Sequence, residues 1–477
     1  MSQVGAWLKD VNHSPERFAY RERTTADPNR ATGTGTVIGL LKKLFKDRRG
    51  NTLAIAAACL PLVVGAAGLA TDTIQWTLWK RQIQRAADSA AMAGVYDRSA
   101  ATGATTNTPT AVCHDIALNL HTWMSLQATS PCTGGVGSYS AISYPANTTF
   151  VTNQVTVTLR VQQSLPFSSM FMSSAPLIQA SSTAGSVSAG GPACVQALEP
   201  TAVTGLSNNG NTTVNAPTCI LYSNSPASNA ASAGGSSNIT ALAIAAVGGI
   251  SQSNNWHVQQ YIPYSPPLPD PFANVNVDPS DMHCTAASLD DNTNWATLGN
   301  TNCFSSIGLQ PNRTINVPAN FGPIYVNGGS VDLKGTFNCT GCTVVLTNQS
   351  QAANATIGSF SSNAQAHNNI TAPTTGNYAG ISIYQDRRAT SNSNTINGGS
   401  GNIIRGAVYF PKTVLQINGS GTVDASGNAV NLCAMWVAKD VTLIGNSSIA
   451  ISSPTDAPCA GSGMPSNSAV RQVRILG

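Results

Sequence analysis

Between Thr52 and Thr71 the chain runs TLAIAAACLPLVVGAAGLAT, twenty residues without a charge. As a helix rising about 1.5 Å per residue, such a run covers a hydrocarbon core of roughly 30 Å. A basic cluster, Lys42, Lys43, Lys46, Arg48 and Arg49, stands before it, and Asp72 opens the long polar remainder after it. Cationic residues resist translocation. The pattern therefore predicts a cytoplasmic tail over 1–50, a transmembrane helix over 51–71 and an exported remainder. Residues 1–50 hold ten of the 24 Lys/Arg and five of the 20 Asp/Glu, which leaves fourteen against fifteen beyond them. The formal charge of +4 belongs to the tail, and the exported part offers no basic face of the kind that binds nucleic acid.

Gly68 and Ala70 make a small-x-small pattern like that of a cleaved signal peptide, but the stretch before the apolar run is far longer than an n-region. Beyond the span, Ile74, Leu78, Ile83, Ala86, Ala87, Ala90, Ala91 and Gly94 recur mostly at three- and four-residue spacing, with Lys80, Arg81, Arg85 and Asp88 between them. That is an amphipathic helix carrying the span out into water, and it favours a retained anchor. The small residues of its stripe permit close approach by a helix or a sheet. Ile83, Ala87, Ala90, Ala91 and Gly94 are the expected face for a partner helix, and through it the chain can form a homo-oligomer.

Arg49-Gly50-Asn51, the apolar span, Thr71-Asp72 and Leu78–Gly94 (LWKRQIQRAADSAAMAG) resemble the N-terminal segment of the TadG-like (Tad) family of Flp tight-adherence pilus-assembly proteins. Gln84–Ala91 (QRAADSAA) is the most specific part. The resemblance implies a single-pass protein of a bacterial inner membrane with its C-terminal bulk periplasmic or surface-directed. It would act in pilus assembly, anchoring or adhesion, with other Tad/Flp pilus-assembly proteins as partners. Related pseudopilins carry Glu five residues after the processing glycine. Here Ile55 holds that place relative to Gly50, so the anchor is expected to stay uncleaved.

Only 9% of the chain is charged, Gly numbers 42, and Glu199 is the one Glu after residue 97. Val, Ile and Thr come in short alternating bursts broken by Gly, Asn and Ser, the pattern of strands and turns. The expected fold is mixed and mainly β. A pilin-like α+β stalk spans 72–190, with a loop-rich section around Cys113 and strands at Val151–Val161 and 176–188. A β-helix, irregular and interrupted by loops, follows over 191–460, and a tail over 461–477. Strand-sized pieces in the second region are too short to bury much alone, so stacking as successive coils is economical. Asn327-Gly328, Asn397-Gly398, Asn418-Gly419 and Asn446-Ser447 suit left-handed corners, and stacked Asn side chains can satisfy one another. A β-sandwich is the alternative.

Of eleven cysteines, Cys59 falls in the span and ten follow it. An even number in an exported region reads as disulfides. Pairing in order gives Cys113–Cys132, Cys194–Cys219, Cys284–Cys303, Cys339–Cys342 and Cys433–Cys459. Cys339-Thr340-Gly341-Cys342 has strand-like flanks and no second ligand pair, which argues for a structural bridge over a redox centre or zinc site.

Parallel β-helix enzymes of acidic polysaccharides need clustered carboxylates. The densest acids are Asp270, Asp278, Asp281, Asp290 and Asp291, in a Pro-rich excursion, and Asp386 beside Arg387 and Arg388. Solvated loop acids, with calcium as a lesser option, explain the first set, and an edge salt bridge explains the second. No catalytic residue, metal or cofactor is expected. A structural or interaction protein is the reading, with a membrane-tethered polysaccharide enzyme as the alternative.

Overall fold

The computed structural model of the chain describes residues 51–101, 103–120, 141–148, 150–188, 190–390, 393–398, 402–419, 432–446, 448–456, 459–465 and 470–476. The expected tail 1–50 and Cys132 lie outside them. The fold is mainly β, with one long apolar helix, and it divides into two compact units at Thr71/Asp72.

In the first unit the described residues open helix α1, Asn51–Ala100. Leu60, Leu62, Val63 and Val64 are all more than half exposed on it. From Ile55 this helix is long and apolar enough to cross a membrane. Pro61 lies within it, a residue that spans tolerate when surrounding groups satisfy the freed carbonyl. Thr71 Oγ1 donates back to Gly68 O at 2.7 Å, so the hydroxyl ends its apolar run without an unpaired donor.

The second unit begins at Asp72. Its part of α1 and helix α2 (Thr108–Asn119) pack on a four-stranded antiparallel sheet ordered Ala141–Ser143, Val151–Val161, Ile178–Ser188, Arg471–Ile475. Val155, Val157, Leu159 and Val161 alternate inward with no exposure, as their period of two dictates. Two expectations are corrected here. The section around Cys113 is helical, started by Pro109 in its first turn, where the missing N–H costs nothing. The segment 461–477 is more than a tail: Arg471–Ile475 pairs in register with Ala184–Ser188 and buries Val473.

The remaining strands form one 20-stranded sheet whose named pairings are parallel. From Cys303–Phe304 to His367–Thr371 each strand joins the third strand after it, as Cys303–Phe304 with Gly322–Asn327, Ile307–Leu309 with Val331–Leu333, and Thr314–Asn316 with Thr336–Thr340. Later strands, and those over 193–262, join the next strand or the next but one. Three ladders result, around a core that includes Val195, Leu221, Ile244, Phe304, Phe337, Phe360, Val408 and Phe410. The order of strands along the first ladder is not chain order. It runs from Cys303–Phe304 up to Leu432–Ile444, and that last strand then pairs with Ala193–Ala197, from which the ladder continues to Trp256–Ile262. The same seam closes on the other two ladders, Val441–Leu443 with Leu206–Asn208 and Ser448–Ala450 with Thr213–Asn215. Residues 303–452 thus stack end-on against residues 193–262. At the seam's corner Gly210 takes φ +81, and a Cβ there would lie 2.9 Å from Gly445 O, so only glycine fits.

Between the two halves of this sheet the chain must travel from one end of the stack to the other. It does so as a strap, residues 263–302, over a single register column: Cys303, Tyr325, Val345, Tyr384, Tyr409, Val437, Gln196, Tyr222, Ala245, Ile262. Tyr222 Oη donates to Pro266 O (2.5 Å), Gln196 Nε2 to Leu268 O and Pro269 O (3.0 Å each), Tyr409 Oη to Asp270 Oδ2 (2.6 Å) and Tyr384 Oη to Val275 O (3.0 Å). Polar side chains of the column thereby satisfy the backbone of a segment that has little regular structure of its own. The strap ends by capping the stack, with bridges Cys284–Cys303 and Leu289–Ile307 and Trp295 edge-on to Phe321.

Among the described residues Asn side chains stack in three places: Asn338 Nδ2 to Asn316 Oδ1 (2.8 Å), Asn418 Nδ2 to Asn397 Oδ1 (2.8 Å) and Asn211 Nδ2 to Asn446 Oδ1 (3.1 Å). Of the expected corners, Gly328 takes φ +76. Asn397-Gly398 and Asn418-Gly419 instead lie within paired strands, where Asn laddering replaces the turn. Ser447 is outside the described residues.

Candidate functional site

Ile83, Ala86, Ala87, Ala90 and Ala91 are fully buried, packed with Val112 and Ile116 of α2 and with the inward row of the antiparallel sheet. Their small size follows from that contact. A Cβ added to Gly94 would stand 2.9 Å from Val155 Cγ1 and 3.0 Å from Val112 Cγ2. The expected partner-helix face, Ile83, Ala87, Ala90, Ala91 and Gly94, is therefore corrected: the protein's own sheet and α2 occupy it, and it is closed to a second copy. The polar face is held as well, by Gln84 Nε2 to Ser181 O (3.1 Å), Ser89 Oγ to Asp115 Oδ1 (3.1 Å) and Arg98 Nη1 to Gln154 O (2.6 Å). Within the sequence motif Gln84–Ala91, the alanines are packing residues and Gln84 and Ser89 tie helix to sheet and to α2.

The end of this helix nearest the span carries Asp72. It is buried, and Oδ2 accepts a hydrogen bond from Ser168 N at 2.5 Å. Asp72 thus tethers residues 162–177, the connection between the two long strands of the stalk sheet.

Cysteine pairs stand at bonding separation, with Cα–Cα distances of 5.5 Å for Cys194–Cys219, 4.2 Å for Cys284–Cys303, 5.9 Å for Cys339–Cys342 and 5.2 Å for Cys433–Cys459. The first joins neighbouring strands of the stack, the second anchors the strap, and the fourth ties the strand Leu432–Ile444 to the segment after Ser452. Cys339 and Cys342 are fully buried on two strands joined by Gly341, away from any helix N-terminus that would activate a thiolate. Cys132 of the expected Cys113–Cys132 pair is outside the described residues. Cys59 is an exposed free thiol on the apolar part of α1.

The acids do not converge. Asp270 is held by Tyr409 and lies 3.6 Å from Arg387 Nη2, whose guanidinium also donates to Phe272 O and Val275 O of the strap. Asp278 closes its own turn through Ser280, Asp290 bonds Thr293, and Asp291 pairs with Arg313 at 3.4 Å. Asp386 receives Arg388 at 2.7 Å and the Thr347 hydroxyl at 2.7 Å. Burial raises its carboxyl, but these donors outweigh burial and hold it below the usual carboxylate range. Burial also pushes the Tyr384 hydroxyl up to about 12, which keeps it a donor to the strap. Among the described residues no three His, Cys, Asp or Glu side chains gather as metal ligands.

One polar cluster was not visible in the sequence because its members come from the two sides of the seam. Glu199, fully buried, accepts from Thr201 N (2.7 Å) and Thr201 Oγ1 (2.5 Å) and pairs with Lys439 Nζ at 3.1 Å. Lys439 also lies 3.9 Å from Asp440, whose Oδ1 is buried without a hydrogen-bond partner. Burial and the neighbouring Glu199 push the Asp440 carboxyl up to about 6. Burial acts on Glu199 in the same direction, but the Thr201 and Lys439 donors prevail and lower it.

Residues 50–101 match the Tad family, described as putative Flp pilus-assembly TadE/G-like. The match covers the apolar run, Asp72 and the whole Ala-rich face, the same segment that carries the resemblance read from the residues. It indicates a role related to Flp pilus assembly. No curated protein and no solved structure matches the chain.

Proposed function

We propose that this protein is a single-pass inner-membrane component of the Flp (Tad) pilus or its secretion system, acting structurally in pilus assembly, anchoring or adhesion. Residues 1–50 stay in the cytoplasm, the start of α1 spans the membrane, and everything from Asp72 lies outside. The observation that carries this reading is that the Tad-matching segment is one helix, apolar and exposed up to Leu69, then packed on its own antiparallel sheet from Trp76 onward. The three-strand repeat, its parallel pairing and the continuous core support a β-solenoid borne by this stalk; antiparallel sheets would be needed for a sandwich. Disulfides suit the oxidising compartment.

The protein is a scaffold and not an enzyme. Of the candidate acids, Asp270 is engaged by Tyr409 and Arg387, Asp278 and Asp290 by their own turns, Asp291 by Arg313 and Asp386 by Arg388. Glu199 and Asp440, a close carboxylate pair, are tied to Lys439 at the seam. In a cell carrying a Flp system, the protein is expected to resist alkaline extraction from membranes, to be degraded by protease added to opened outer envelopes, and to crosslink to Tad/Flp assembly components. Recovery as freely soluble cytosolic protein would overturn the anchor. Turnover of an acidic glycan that is lost in Asp386→Asn or Asp281→Asn would overturn the structural role.

A further inference from the structure

Residues 162–177 (QQSLPFSSMFMSSAPL) carry no charge. They connect the strands Val151–Val161 and Ile178–Ser188, and their tip is a single 3-10 turn, Ser168–Met170. A connection in water is normally polar. Here Met170 is 75% exposed, Phe171 67%, Leu177 49% and Met172 44%. Large apolar side chains bared together in this way mark a surface that meets something apolar.

What it meets follows from its place in the fold. The helix runs antiparallel to Val151–Val161, since Arg98 and Ser99 contact Gln154 and Asn153, while Asp72 contacts Ser168. The connection therefore sits at the Asp72 end of the stalk. Asp72 directly follows Thr71, the last residue of the apolar run, so the tether bonds the connection to the first residue after that run. Ile74, 58% exposed on the first turn after Asp72, extends the apolar ground. Cations lie just above: Lys80 Nζ donates to Gln179 O, and Arg160 Nε donates to Gln179 Oε1 at 2.8 Å. Lys80 is eight residues from Asp72, about 12 Å along the helix, the depth of a headgroup layer above a hydrocarbon boundary. Apolar side chains below and cations above are the division of a segment lying in a membrane interface.

We propose that residues 165–177 are a second membrane contact: Met170, Phe171, Met172 and Leu177 insert into the outer-facing leaflet of the lipid bilayer beside the span. The proposal rests on the anchor reading. One flexible span would leave the stalk free to tilt and turn. A second contact, bonded to the helix through Asp72 and Ser168, would restrict both its tilt and its rotation about the helix axis.

The test uses the full-length protein in lipid nanodiscs, with Cys59→Ser as background and a nitroxide attached in turn at Phe171→Cys, Leu177→Cys, Val63→Cys and Leu118→Cys. Val63 reports the span, and Leu118, 71% exposed on α2, reports water. At 171 and 177 the label is expected to lose accessibility to a water-soluble nickel complex and gain it to oxygen, as at 63 and opposite to 118. Nickel accessibility at 171 and 177 equal to that at 118, with 63 in lipid, overturns the second contact alone. Nickel access at 63 overturns the anchor itself. Protection of 171 from both nickel and oxygen overturns the lipid assignment in favour of a protein partner, including a second copy.

Discussion

Asp440 illustrates how much a single side chain can be governed by a distant stretch of sequence. Its neighbour in sequence, Lys439, prefers Glu199, and the half-buried Asp440 carboxyl, with its Oδ1 enclosed, is left with little compensation. Its folded-state value of about 6 stands above the ordinary 3.8, so between those two values the folded state binds the proton more tightly than the unfolded state does. The contribution is therefore favourable at low pH and is lost as pH rises towards 6 and beyond. Thermal denaturation followed by circular dichroism at pH 4.5 and pH 7.5 is expected to show this slope. Asp440→Asn should flatten it and stabilise the protein at pH 7.5 by on the order of 1–3 kcal/mol. A variant that is less stable than the parent at pH 7.5 would show that the ionised carboxylate is wanted there.

Among the elements, α1 and the strands around it were the most readable. A three-and-four spacing of Ile and Ala predicts a helix face, and strict alternation in VTNQVTVTLRV predicts a half-buried strand; both periods reflect backbone geometry alone. What those periods do not state is which surface lies opposite, and so the alanines read as well for a partner helix as for the sheet that holds them. Gly94 is the decisive contact. Gly94→Val is expected to lower stability by about 1–3 kcal/mol through overpacking against Val155 and Val112, measured by urea denaturation. An unchanged midpoint would mean that the helix stands off the sheet. Helix α2 and the strand Arg471–Ile475 were hidden for different reasons. The first is a short piece set among Thr and Pro, and the second has five residues of which two are Arg, too few for a period to emerge.

At the scale of the whole molecule, cysteines near one another in sequence meet because successive strands of a ladder are near in sequence too, which is why pairing in order was a workable expectation. The order of the ladder itself was illegible. Each strand-sized piece resembles the others in length and pattern, and nothing local says that Leu432–Ile444 will seat on Ala193–Ala197. Likewise the acids around 270–291 read as a solvated loop, whereas the segment is a strap held by tyrosines from three strands of the stack. The stalk sheet depends equally on chain ends far apart. Removing residues 470–477 deletes its edge strand and uncovers the Ala184 side of Ile178–Ser188. That truncation is expected to make the stalk susceptible to limited proteolysis while the stack retains its resistance, as read by mass mapping of the fragments. Equal resistance in both parts would show that the edge strand is dispensable.

The seam between the two halves of the stack has a consequence for biogenesis. Synthesised before the strands of 303–452, residues 193–262 can pair among themselves, yet the flank that will receive Leu432–Ile444 stays bare until that strand has been made. For that whole interval an unpaired parallel edge waits beside a growing, unfinished chain, open to misjoining with another newly made copy. The arrival of Leu432–Ile444, distant in sequence from the edge it covers, is the event that shuts it.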